Sequence, residues 1–356
     1  MEEFAELKAM FRETLVQGGS DIYIIPGSPI TTKVNEKFVF LTEGKQGPAE
    51  CTRFINEIYA MANGRNIKRL EEEGDDDFSF GLAQIGRFRC NAFKQRGTFA
   101  AVLRAVPFNL PDPAKLGIPQ VVLELSERRQ GMVLVTGPAG SGKSTTLSCI
   151  IDRINSGTNA HIITLEDPIE FVHPHKKSIV TQREIMNDTH NFAHALRSAL
   201  RQAPDVILLG EMRDYETIQT ALTAAETGHL LLSTLHTIGA SKTIDRIVDS
   251  FPSNQQSQVR MQLSLVLKAV VSQQLIPTVD GGLVAAFEVM QVNDAISNMI
   301  REGKVHQMDN VIYAGSAQGM FTMDSEIMKL YKAGRISKEN ALLHSTNREL
   351  MAKKLM

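Results

Sequence analysis

Tryptophan is absent from the 356 residues, aromatics make up only 6%, and there are just three cysteines. Cys51, Cys90 and Cys149 are too widely spaced for a disulfide framework or a zinc knuckle, and they read as small buried residues. Few aromatics means few platforms on which single-stranded bases could stack. A basic excess is missing too: 38 Lys and Arg stand against 40 Asp and Glu, for a formal net charge of −2 at pH 7. Both absences argue against nucleic acid as a partner. No uninterrupted apolar stretch could span a bilayer, and the acidic N-terminus does not read as a signal peptide, so a cytoplasmic chain is expected. One acidic run, Glu71-Glu72-Glu73-Gly74-Asp75-Asp76-Asp77, reads as a solvated loop rather than a metal site. The rest of the composition is ordinary, and 356 residues exceed one comfortable core, so two domains are expected.

Along the chain, Phe4, Leu7, Met10, Phe11 and Leu15 recur at helical spacing until Gly18-Gly19. Strand-like runs follow at 22–25 and 38–41, a helix at 52–62, and alternating strands at 86–93 and 99–106. This predicts a small α+β domain over 1–106. Four prolines from Pro107 to Pro119, without periodicity, predict a linker over 107–118. From 119 to 356, apolar strands at 132–136, 160–165, 206–209 and 230–234 alternate with helices at 144–154, 192–202, 217–226 and 253–271. Such alternation predicts an α/β domain with a mostly parallel sheet covered on both faces, and the last fifty residues read as helical.

The most informative stretch is Gly137-Pro138-Ala139-Gly140-Ser141-Gly142-Lys143-Ser144, followed by Thr145. It is G-x-x-x-x-G-K-[ST] between a strand and a helix, the context that a phosphate-binding loop requires. Its backbone N–H groups can wrap a polyphosphate at a helix N-terminus. Lys143 would reach the β- and γ-phosphates of ATP, and the Ser144 hydroxyl would take Mg²⁺.

In a parallel sheet, ligands bind beyond the carboxyl ends of the strands. There the chain delivers Glu166-Asp167 after one strand, Gly210-Glu211 after a second and His236 after a third. Many phosphate-loop enzymes end the second of these strands in an Asp that supports Mg²⁺, and here that position is Gly210. Glu166 and Asp167 could complete the ion's shell through water, which leaves Glu211 to orient the attacking water. The lesser alternative for Glu166 and Asp167 is a capped turn before a helix. His229 and His236 bracket one strand, roughly 23 Å apart if extended, so they cannot both touch one phosphate from one subunit. His236 suits a γ-phosphate sensor, whereas a structural or interface role fits His229 as well as a functional one. Arg87, Arg89, Arg96 and Arg104 fall on the first domain, where ordinary surface pairing competes with a role in stabilising the transferring phosphoryl group.

Residues 137–144, 166–170, 210–214 and 228–237 together resemble the type II and type IV secretion ATPases, nearest their PilT-type pilus-retraction branch. The resemblance extends to 86–93, 225–229, 246–252 and 295–304, nearly the whole chain. It implies a PAS-like N-terminal domain, a RecA-like ATPase domain and a homohexamer that binds nucleotide between its domains. It further implies that Arg89, Arg96 and Arg104 reach the triphosphate. Hydrolysis would turn an inner-membrane platform protein (PilC-like) at the membrane's cytoplasmic face and draw subunits out of a pilus, alongside a second retraction ATPase. Assembly ATPases of the family usually carry an extra N-terminal domain and a four-cysteine zinc site. Neither is found here, so no zinc is expected. Three departures leave a PilU-like accessory ATPase or a DotB-like secretion ATPase as alternatives: Tyr23 replaces a usual His, Ser297 stands where the family's signature has Arg, and Ala203 where an Asp is common.

Overall fold

The computed structural model describes residues 3–35, 37–106 and 110–356. It divides into two compact units, Met1–Asn109 with Pro168–Val172, and Leu110–Asp167 with His173–Met356. The first three residues of the expected linker (107–109) lie outside the described residues. The remainder of that linker closes a turn, with the Ile118 N–H donated to the Pro113 carbonyl, and buries Ile118 in the second unit's core.

In order, the first unit contains α1 (Ala5–Val16), β1 (Asp21–Ile24), β2 (Thr31–Val34), β3 (Lys37–Phe40), α2 (Pro48–Met61), α3 (Lys68–Glu73), β4 (Asp75–Leu82), β5 (Gly86–Gln95) and β6 (Thr98–Val106). Its antiparallel sheet has the order β3-β2-β1-β6-β5-β4. The apolar stripe Leu7, Met10 and Phe11 of α1 joins Phe54, Ile55 and Ile58 of α2 over Ile22, Phe88 and Leu103 of the sheet.

The acidic run is not the solvated loop expected of it. α3 ends at Gly74 in left-handed geometry (φ 88°), and Asp75–Leu82 is a strand. Alternation turns Asp76, Phe78 and Phe80 towards the core. The buried Asp76 carboxylate accepts from Tyr59 Oη (2.9 Å) and from Arg65 Nε and Nη2 (2.8 Å each). Burial alone would raise its pKa, but these hydrogen bonds prevail and hold it below the ordinary value.

The second unit runs α4 (Gln120–Leu123), β7 (Gly131–Thr136), α5 (Lys143–Gly157), β8 (His161–Glu166), β9 (Ile179–Glu184), α6 (Phe192–Ala199), β10 (Val206–Leu209), α7 (Tyr215–Glu226), β11 (Leu230–Leu235), α8 (Ala240–Asp249), α9 (Gln256–Val266), β12 (Leu267–Pro277) and β13 (Leu283–Gln291). Then come α10 (Asp294–Glu302), α11 (Met308–Ala314), α12 (Met323–Lys332), α13 (Lys338–His344) and α14 (Arg348–Lys354). Seven strands form one sheet in the order β13-β12-β7-β11-β10-β8-β9, parallel except for the edge pair β12–β13. Met132 and Leu134 of β7 enter one core, Val133 and Val135 the opposite one, so both faces are covered.

The helix expected over 253–271 stops at Val266, and Leu267–Pro277 is a strand beside β7. A continuous apolar run cannot by itself tell a buried helix from a buried strand. β9 and β13 escaped the sequence reading altogether. No helix among the described residues is long and apolar enough to cross a membrane.

Candidate nucleotide-binding site

The loop from Gly137 to Ser144 joins central strand β7 to α5. Gly137 has φ 144°, and a Cβ there would lie 2.1 Å from the Gln273 carbonyl oxygen, so only glycine fits. At Gly142 (φ 87°) a Cβ would press within 2.9 Å of the Gln273 side chain. Gln273 also accepts a hydrogen bond from Thr146 Oγ1 at 2.8 Å, so β12 forms one wall of the loop. Lys143 is buried, and its Nζ donates to the carbonyls of Gly137 and Pro138, 2.9 Å each. Ser141 Oγ is buried with no hydrogen-bond partner among the described residues, a polar atom suited to an oxygen-rich ligand. Ser144 and Thr145 are half-buried at the start of α5.

The strand order sets out the remaining groups on the β11, β10 and β8 side of the loop. His236 follows β11, directly beside β7; Glu211 follows β10, one strand further; Glu166 ends β8, a third strand out. At about 4.8 Å per strand, the lateral steps from β7 are roughly 5, 10 and 14 Å. Glu211 and His236 are brought together, with Oε2 3.5 Å from Nε2, and Arg213 Nε lies 2.5 Å from the same carboxylate oxygen. Glu166 accepts from Thr164 Oγ1 (2.6 Å) and Gln182 Nε2 (3.1 Å), while Asp167 is exposed. His229 sits at the opposite end of β11. Its Nδ1 is 2.9 Å from the Ala224 carbonyl, which can only accept, so that nitrogen carries the proton and the ring ties down the end of α7.

Why these residues stand there is visible locally. β11 reads Leu-Leu-Leu-Ser-Thr-Leu, and its two hydroxyls serve the Glu211 segment. Ser233 Oγ donates to the Leu209 carbonyl (2.7 Å) and Thr234 Oγ1 to that of Gly210 (2.6 Å). Gly210 itself lies so close to β8 that a Cβ would meet the Leu165 carbonyl oxygen at 3.1 Å. The position where an Asp is common elsewhere is thus tightly confined.

A cavity of about 420 Å³ adjoins the loop, within the size range of small-molecule sites. It is lined by Gly142, Thr145 and Gln273, the apolar Leu275 and Leu283, and the cation Arg335. The sequence reading missed Gln273, Leu275 and Leu283 because their strands went unrecognised, and Arg335 because it belongs to no motif; Arg213 lies within the 210–214 motif but was given no role there. Arg213 carried one signal, a cation two residues beyond a strand-end carboxylate.

In the first unit, Arg89 and Arg104 are direct partners across β5 and β6. Arg89 pairs with Asp77 (2.7 Å) and Arg104 with Asp21 (2.8 Å). Arg96 occupies the β5–β6 turn at φ 49°, roughly 23 Å along the strand from Arg89. These arginines therefore form a pair and an outlier rather than one cluster.

Comparison with known proteins agrees with this arrangement. Residues 3–353 match the family described as type II/IV secretion system protein. The chain is 47% identical over 325 residues to the type IV pilus retraction ATPase PilT of Pseudomonas aeruginosa, covering 91% of this chain and 94% of PilT. It is 40% identical over 341 residues to the type IV pilus ATPase PilU of the same organism, covering 96% and 88%. Among solved structures, the pilus retraction motor PilT with bound ADP superposes with a TM-score of 0.87 at 47% identity, over 98% of this chain and 99% of that one. The chain belongs to the type II/IV secretion system protein family.

Proposed function

We propose that this chain is a hexameric ATPase motor that couples hydrolysis of ATP, to ADP and phosphate, to retraction of a type IV pilus. The observation that carries the reading is the convergence of Glu211 and His236, 3.5 Å apart, at the strand ends beside a phosphate loop. Similarity to PilT over nine-tenths of the chain supports the cellular role. On this reading the first unit is a PAS-like domain (1–106), 107–118 a linker, and 119–356 a RecA-like ATPase domain.

The triphosphate would lie along the N–H groups of residues 137–144, with Lys143 leaving its loop carbonyls for the β- and γ-phosphates and the nucleoside in the cavity between Thr145 and Arg335. Oxygen donors suit Mg²⁺, which usually keeps several waters. Ser144 would hold the ion directly, with Glu166 and Asp167 acting through water. When bound, the ion neutralises charge developing on the phosphate oxygens. Glu211 would orient the attacking water once Arg213 swings to the phosphates, and His236 would sense the γ-phosphate. Arg89, Arg96 and Arg104 would contribute positive charge from the first domain, and His229 would act at a subunit interface. Such a ring would dock on a PilC-like platform protein at the cytoplasmic face of the inner membrane, with a second retraction ATPase as companion.

A deletion strain complemented with wild-type or Lys143→Ala protein tests this. The deletion and the variant should both accumulate surface pili and lose twitching, and the purified variant should lose ATP turnover. Loss of pili would reverse the direction of force. Normal pili with a defect in protein export would favour a DotB-like role, and retraction that survives Lys143→Ala would favour a PilU-like accessory role, which the 40% identity to PilU supports.

A further inference from the structure

The turn that carries His236 is held from one rung of the sheet edge. Ser272 on β12 lies beside Thr136, the last residue of β7, and opposite Glu288 on β13. Ser272 Oγ accepts from the Gly239 N–H (3.0 Å), and Glu288 Oε1 accepts from the next one, Ala240 N–H (2.9 Å). These are the first donors of α8, three and four residues after His236. Glu288 Oε2 accepts from the Met323 N–H at the start of α12 (3.2 Å). Inside the turn, Thr243 Oγ1 donates to the Gly239 carbonyl (2.8 Å) and lies 2.8 Å from Thr237 Oγ1, so residues 237 and 239 are both tied to residue 243. Ser272 is fully buried and Glu288 nearly so. A carboxylate is an expensive filler for an apolar core unless its oxygens are bonded, and both are bonded here, to two different helix starts.

We propose that Ser272 and Glu288 are positioning residues for ATP hydrolysis: they clamp the His236 turn to the sheet edge, and through Glu288 to α12. Neither touches the reacting atoms. The proposal rests on the reading that His236 serves hydrolysis. It makes the C-terminal helices part of what sets the imidazole's place relative to Glu211.

The test is steady-state hydrolysis by the assembled full chain carrying Ser272→Ala, Glu288→Gln, His236→Ala and the two double substitutions. Misplacing a group by about 1 Å can cost up to 10²-fold, so each clamp variant should lower kcat by roughly tenfold, with KM for ATP within about twofold. Each double variant should be no slower than His236→Ala alone, because the clamp acts through that side chain. Multiplying losses would overturn the proposal and leave the His236 reading standing, as would wild-type kcat in both clamp variants. Wild-type kcat in His236→Ala would overturn both. Should Glu288→Gln fail to fold, Ser272→Ala with its double variant decides alone.

Discussion

Glu211 and Glu166 are equally buried, each about 9% exposed, yet their surroundings differ. Glu166 is held by Thr164 and Gln182, side chains rooted in strands, so its carboxylate is a fixed acceptor. The partners of Glu211 are Arg213 and His236, both largely exposed and able to swing away. That contrast suits Glu211 to a step in which a partner leaves and water arrives. Glu211→Gln should therefore bind ATP but hydrolyse it at least about 10²-fold more slowly. Glu166→Gln should mainly raise the Mg²⁺ concentration needed for half-maximal turnover. Titrating Mg²⁺ against kcat for both variants checks the assignment, and a far larger loss of kcat in Glu166→Gln would reverse it. At this scale the sequence was most legible where the site is contiguous, since eight successive residues spell out the phosphate loop. It was silent where a residue acts from a distant strand: nothing in the Ser272-Gln273 dipeptide announces that one side chain braces the His236 turn while the other walls the loop.

The connection between β8 and β9 passes His173, which is buried and whose backbone N–H donates to Gln182 Oε1 (2.7 Å), the same amide that donates to Glu166. Burial pushes the His173 pKa down to about 4. The folded protein thus keeps this ring neutral over a range where the unfolded chain, with an ordinary value near 6.5, takes up a proton. Stability from this group is complete above about pH 6.5 and is lost as pH falls towards 4, on the order of 3 kcal/mol across the window. Unfolding free energies of wild type and His173→Gln from pH 7 to 4 should converge as pH falls; parallel curves would show that burial does not penalise the charged ring. Strands flanked by turns and helices were readable in the sequence, and 206–209 has its observed bounds. β12 was not, because Leu263 to Val271 is apolar enough for either element and pairing with β7 decides the matter.

For the whole molecule, the six-stranded antiparallel sheet of the first unit and the mostly parallel sheet of the second have separate cores. If the working form is a ring of six, specific activity should climb with protein concentration and level off once rings form. Sedimentation with ATP present should show six-chain particles. Full activity from monomers or dimers would remove the ring from the reading. One irregularity in the second sheet bears on both the phosphate loop and the His236 turn. Along β12 the pairing with β7 skips Lys268: Leu267 faces Met132, and Ala269 faces Val133. An extra residue in a ladder inverts the side on which every later side chain emerges. With Lys268 taken up this way, Ser272 emerges towards α8 and Gln273 towards α5. Without the skip, the glutamine would meet the imidazole's turn and the serine the phosphate loop. A single lysine passed over by the β7 ladder, four residues upstream of Ser272, keeps the two halves of the candidate site in phase.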